Sequence, residues 1–175
     1  YGGPVTGNTI TVTGPNSLWD LKAQNLFLCR DTGTINRLTL QDGGAVTGVL
    51  NLVVAMGVAA SNNGVTVDGG ALYATRITTS NDLPNDVTLT GSGVIHAAYF
   101  IVTNPQFAVN FLGGTLNVRA SLLVSNGVPL VVGDGVQSAH LPIIAGATNI
   151  FSHGLILATN AWLTGNGLIQ TPTST

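Results

Sequence analysis

The chain has 175 residues, 45% of them hydrophobic and 7% charged, with five Lys and Arg against seven acidic residues and a formal net charge of −2. That length can bury a substantial core as one domain, and charge this sparse and scattered forms no basic stripe, so nucleic acid is not an expected partner. No apolar run approaches the roughly 18 residues of a membrane span, and the absence of Glu beside a single lysine, Lys22, disfavours exposed helix faces.

The chain opens at Tyr1 without a leader, and any signal peptide is expected to have been removed or to lie outside it. The first predicted strand, Asn8-Thr9-Ile10-Thr11-Val12-Thr13, lies between Pro4 and Pro15 in a segment, 1–14, that reads as an exchange strand able to add to a neighbouring subunit. Leu26-Phe27-Leu28-Cys29 reads as an apolar strand carrying a lone cysteine, which has no internal disulfide partner and is expected to be a buried, inert thiol.

From there a phrase recurs: alternating apolar residues, a glycine turn, then a second apolar alternation. It stands as Leu38-Thr-Leu-Gln-Asp-Gly-Gly-Ala-Val46, Val65-Thr-Val-Asp-Gly-Gly-Ala-Leu72, Val87-Thr-Leu-Thr-Gly-Ser-Gly-Val-Ile95, Val109-Asn-Phe-Leu-Gly-Gly-Thr-Leu116 and Ala161-Trp-Leu-Thr-Gly-Asn-Gly-Leu-Ile169. Taking Gly44, Gly70, Gly93, Gly114 and Gly135 as equivalent, the intervals are 26, 23, 21 and 21 residues. Short strands repeated at this spacing, without a leucine-rich or helical repeat pattern, predict an all-β, parallel β-helix with about three strands per coil and roughly six to eight coils. Right-handed coiling is the default for parallel connections, and an antiparallel β-sandwich is the alternative. One solenoid domain is expected over 1–175, with glycine and its Asn or Asp neighbours turning the corners and Asn or Thr stacking in ladders between coils.

The segment from Asn110 to Ile169 contains Phe111-Leu-Gly-Gly-Thr-Leu-Asn-Val118, Val131-Val-Gly-Asp-Gly135, Asn149-Ile-Phe-Ser-His-Gly-Leu-Ile156 and Ala161-Trp-Leu-Thr-Gly-Asn-Gly167. It resembles the autotransporter-associated β-strand repeats of large bacterial surface proteins. The resemblance covers about a third of the chain clearly and the rest through the glycine phrase. It implies an exported, repetitive, structural protein at the cell surface, and it carries no catalytic residues to transfer.

Chemistry-bearing residues are few. Asp42 and Asp68 both precede Gly-Gly, so stacking one coil apart would pair two carboxylates about 5 Å apart, the arrangement of a polysaccharide-cleaving or calcium-binding β-helix, with Arg76 nearby. Turn formation is the competing role for both. Asp82 and Asp86 flank Pro84 in a polar loop without calcium-site spacing, and His96, His140 and His153 are dispersed without zinc spacing. Trp19, Tyr73, Tyr99 and Trp162 are candidates for a sugar-stacking platform if they share a face.

The ends, including the polar tail 170–175, carry neither charge nor a cap helix, and a solenoid with open ends templates further pairing. The expectation is a non-enzymatic extracellular subunit of a bacterial filament, fibre or stalk, without metal or cofactor. It assembles head to tail with itself through Asn8 to Thr13 at one end and Trp162, Leu168 and Ile169 at the other. The alternative is a carbohydrate-binding or polysaccharide-cleaving β-helix acting on surface glycans through Asp42 and Asp68.

Overall fold

The computed structural model describes residues 6–172; residues 1–5 and 173–175, which include the start of the expected exchange segment and the end of the polar tail, lie outside the described residues. The described residues form strands and turns only, with no helix, wound as a parallel β-solenoid of about seven coils. One wall stacks β1 (Thr9–Thr13), β3 (Arg37–Gln41), β5 (Gly64–Asp68), β7 (Asn85–Thr90), β9 (Phe107–Phe111), β11 (Leu130–Val132) and β14 (Leu155–Leu157) in that order. A second sheet stacks β2 (Leu18–Phe27), β4 (Ala45–Val53), β6 (Ala71–Thr78), β8 (Val94–Val102), β10 (Gly114–Val124), β12 (Ala139–Ile143) and β15 (Ala161–Gly165), and β13 (Thr148–Phe151) and β16 (Leu168–Gln170) continue it alongside.

The second sheet is two walls joined at a corner, and the burial pattern shows why. Strand alternation puts every second side chain on one face. In β6 the buried positions are Leu72, Ala74 and Ile77, and in β10 they are Leu116, Val118, Leu122 and Val124. The alternation slips by one residue after Ala74 and by two after Val118. Register shifts fall beside these points, between Val46 and Val49, which pair with Leu72 and Ala74, and between Val118 and Ser121. Each long strand therefore turns midway and keeps both halves facing inward. Beyond β10 the halves separate outright, since β12 and β13 both pair with it. Three strands per coil, expected from the repeat spacing, are what the chain forms.

Parallel pairing in register aligns like with like into columns. Val12, Leu40, Val67, Leu89, Phe111, Val132 and Leu157 succeed one another on the first wall. Trp19, Val46, Leu72, Ile95 and Leu116 do so on the second. Most of these side chains are fully enclosed in one continuous core, each stabilising the fold by about 1.5–3 kcal/mol.

The two glycines of the repeated phrase are needed for different reasons. Gly69 turns the chain at a φ of 69°, in the left-handed region that a side chain resists. Gly70 makes room: a β-carbon there would lie 2.7 Å from the Gly44 carbonyl oxygen of the coil above. The column Gly44, Gly70, Gly93, Gly114 is as expected, but it does not continue to Gly135. Gly114 pairs with Ala139, and Gly135 lies in open space. From that coil on, the turn is spaced so that an alanine fits.

Candidate functional site

The chain enters the first wall through an asparagine in each of the first four coils, and these side chains stack. Asn8 donates its side-chain N–H to Asn36 Oδ1 at 3.0 Å, Asn36 to Asn63 Oδ1 at 2.9 Å, and Asn63 to Asn85 Oδ1 at 3.2 Å. The backbone N–H of each donor residue reaches the same oxygen. Asn85 closes the column on the carbonyls of Ala60 and Leu83. Asn36, Asn63 and Asn85 are buried, so these bonds satisfy groups that would otherwise be costly to enclose. In the fifth coil the register partner of Asn85 is Phe107, and the column ends.

Next to it, Arg37 and Asp86 form an ion pair at 2.5 Å although a whole coil separates them. Gly64 is the residue between, paired with both, and a β-carbon on it would strike the Arg37 guanidinium. Its missing side chain is what lets the pair close. Asp86 also accepts from the Thr88 hydroxyl at 3.3 Å. Asp82, on the other side of Pro84, is exposed.

The columns run out to both ends of the solenoid. β1 pairs only with β3 and β2 only with β4, while β14, β15 and β16 pair only with β11, β12 and β13. Among the described residues nothing pairs with their outer edges. The end coils are correspondingly exposed: Ile10 is 42% and Leu18 63% accessible at one end, Leu157 45% and Ile169 36% at the other. Asn8, Thr9, Ile10, Thr11, Val12 and Thr13 all lie on the first rung, as an integral strand of the wall. Ile169 succeeds Leu122 and Asn149 in an interior column, whereas Leu168 is exposed. Trp162 pairs with His140 on the outer face and lines a lateral groove with Ser92, Thr115, Ser138 and Thr164.

The register corrects the carboxylate pairing expected from the glycine phrase. Leu40 pairs with Val67, and Asp68 pairs with Thr90. The first phrase is one residue longer, so Gln41 stands over Asp68, and Asp42 falls in the turn at a φ of 52°. Asp42 accepts from Thr13 in one direction, while Asp68 lies against Gly91 in the other. Asp42 is a turn residue and Asp68 ends β5, so the two are not register partners.

The aromatic platform is also divided. Trp19 packs against the core, Tyr73 and Tyr99 lie outside on the second sheet, and Trp162 is on the last coil. Cys29 is buried, its thiol pushed up by burial and by the nearby Asp31. Among the described residues no three His, Cys, Asp or Glu side chains gather closely enough to hold a metal ion, and no helix is long and apolar enough to cross a membrane. His140 hydrogen-bonds Thr164 at 2.7 Å, His153 is exposed, and His96 stacks on Tyr73.

No protein-family model, curated protein or solved structure matches this chain.

Proposed function

We propose that this protein is a non-enzymatic structural element, a solenoid subunit of an extracellular bacterial filament, fibre or stalk that joins copies of itself head to tail. The observation that supports this most is the pair of open end coils, whose inward side chains continue the interior columns. Such a contact is heterologous and does not close, so it propagates. The resemblance of the 110–169 segment to autotransporter-associated repeats points the same way.

On this reading the joint continues the column positions. Leu155 and Leu157 succeed Ile10 and Val12 in the columns of the first wall, so β14 of one copy pairs with β1 of the next, Ile156 opposite Thr11. Leu163 then meets Trp19 and Ile169 meets Leu26. Neighbouring parallel strands lie about 4.8 Å apart, within disulfide reach.

Negative-stain electron microscopy at rising concentration tests assembly, and Thr11→Cys with Ile156→Cys, in a Cys29→Ser background, tests the joint. Filaments and an oxidation-dependent ladder of covalent oligomers are expected. Monomeric rods at all concentrations would overturn the filament reading; filaments without the cross-link would overturn only this register.

A further inference from the structure

The outer face of the second sheet carries an arrangement that neither the core nor the end coils require. At its corner a groove of about 210 Å³ runs along the solenoid, lined by Gly48, Leu50, Tyr73, Thr75, His96 and Arg119, with Val49 and Ala74 beneath. Tyr73 and His96 are register partners on adjacent rungs, and their rings stack at 4.7 Å and 16°. Tyr73 remains 42% accessible, so the stack holds an aromatic plate at the surface. Just past the corner, the Arg76 guanidinium lies 5.0 Å from the centre of the Tyr99 ring. Cation–π contact of this kind orients a guanidinium while leaving its N–H groups free to donate.

The charges on this face are not mutually satisfied. The salt bridges among the described residues engage Lys22 with Asp20 and Arg37 with Asp86, leaving Arg76 and Arg119 without a carboxylate. β4, β6, β8 and β10, the four strands that form this face, contain two arginines and a histidine and no acidic residue. Asp20 of the adjacent β2, paired with Lys22, borders the groove at Gly48, and the cationic and aromatic strip of Tyr73, Arg76, His96 and Arg119 begins beyond it.

We infer that this corner is a binding groove for an acidic oligosaccharide, one bearing carboxylate or sulfate groups. Each feature has a counterpart in such a ligand. The Tyr73 plate takes the apolar face of a sugar ring, Arg119 and Arg76 take its anionic groups, and Thr75 bonds hydroxyls. From Tyr73 to Arg119 is two rungs, about 10 Å, the scale of neighbouring sugar units on a chain lying along the axis. The groove is open at the surface, which suits a polymer passing through. Two guanidiniums match an anion with one charge per sugar; a duplex presents one charge per ~1.7 Å and calls for many more cations. The site is independent of the end coils and serves equally in a monomer or a filament.

Isothermal titration with a galacturonic acid oligomer, a heparin oligosaccharide and a neutral galactan oligomer tests the inference, with single-stranded DNA as a fourth titrant. The expected result is binding of one or both acidic sugars that weakens with salt, none of the galactan, and a loss of about tenfold or more in the doubly substituted Arg76→Gln, Arg119→Gln protein. Tyr73→Ala should weaken binding independently. All three positions are outside the core, so circular dichroism and melting temperature should be unchanged and report folding separately. Absence of binding to both acidic sugars, equal binding by the doubly substituted protein, or tighter binding of DNA than of either sugar would each overturn the proposal.

Discussion

In coils one to four an asparagine precedes or opens each strand of the first wall, and the first three of these amides are hydrogen-bonded to the next coil; from the fifth coil Phe107 takes that place and Phe111 and Phe151 fill the interior. The two regions hold the same backbone with different physics. The asparagine column is directional and fixes register, because an amide displaced by one residue meets no partner. The apolar columns are stronger per side chain but tolerant of sliding along their axis. The first two asparagine intervals are also the longest repeats: the stacked residues are 28 and 27 positions apart before the spacing falls to 22. The extra residues form loops enclosing Cys29, Ala55 and Ala60 in a small separate cluster. A polar column at the loop's exit re-establishes the register that a long excursion would loosen.

The sharpest test of this contrast is in the apolar half. Phe107→Ala should destabilise the protein by about 3–5 kcal/mol, read from urea unfolding, because a buried ring is replaced by a cavity between coils. A cost below about 1 kcal/mol would mean that the fifth coil is not held by this packing. In the polar half, Asn63→Ala should cost about 2–4 kcal/mol, since it strips the acceptor from both N–H groups of Asn36 that reach it and removes one of the two donors to Asn85 Oδ1, the backbone N–H remaining. It should also speed hydrogen exchange in β3 and β5 more than in β10, whereas Phe107→Ala should do the reverse. Uniform exchange changes in both variants would remove the distinction between the halves.

The smallest expected effect is on the outer face. The His96 imidazole is held below its usual range, first by burial and then by the Arg119 guanidinium, with Tyr73 stacked on its other neighbour side. Its folded form therefore resists protonation. The stability it contributes is present above the ordinary histidine range, near pH 6.5, and is lost as pH falls through the lowered folded value. Melting temperature should decline modestly on acidification below pH 6.5, and His96→Gln should flatten that part of the curve. An identical pH profile in the variant would show that other groups govern it.

Much of the architecture was legible from residues alone. Parallel β-helical winding followed from the glycine phrase and its spacing because corner turns demand particular residues and coils must be nearly equal in length. The asparagine column is written in a second pattern, apart from the glycine phrase: Asn8-Thr-Ile-Thr-Val12, Asn36-Arg-Leu-Thr-Leu40, Asn63-Gly-Val-Thr-Val67 and Asn85-Asp-Val-Thr-Leu89 share it. Aligning on the strands in this way places Asp68 with Gln41; aligning on the turns placed it with Asp42. Strands set register through their hydrogen bonds, and turns absorb the inserted residue. The corner groove was not legible, because Tyr73, Arg76, His96 and Arg119 come from three separate coils and meet only once the bend position in each strand is known.

The asparagine column has a further consequence. Its first three amides, those of Asn8, Asn36 and Asn63, each give an N–H to the coil nearer the C-terminus, so their dipoles add along the axis where the backbone hydrogen bonds of a sheet alternate. The solenoid is therefore a polar rod, with a carbonyl-leading face at Asn8. Two such faces brought together would set oxygen against oxygen, while a donor-bearing edge from another molecule would extend the series. The proposed head-to-tail assembly of these rods would inherit that orientation at every junction and have two chemically different tips.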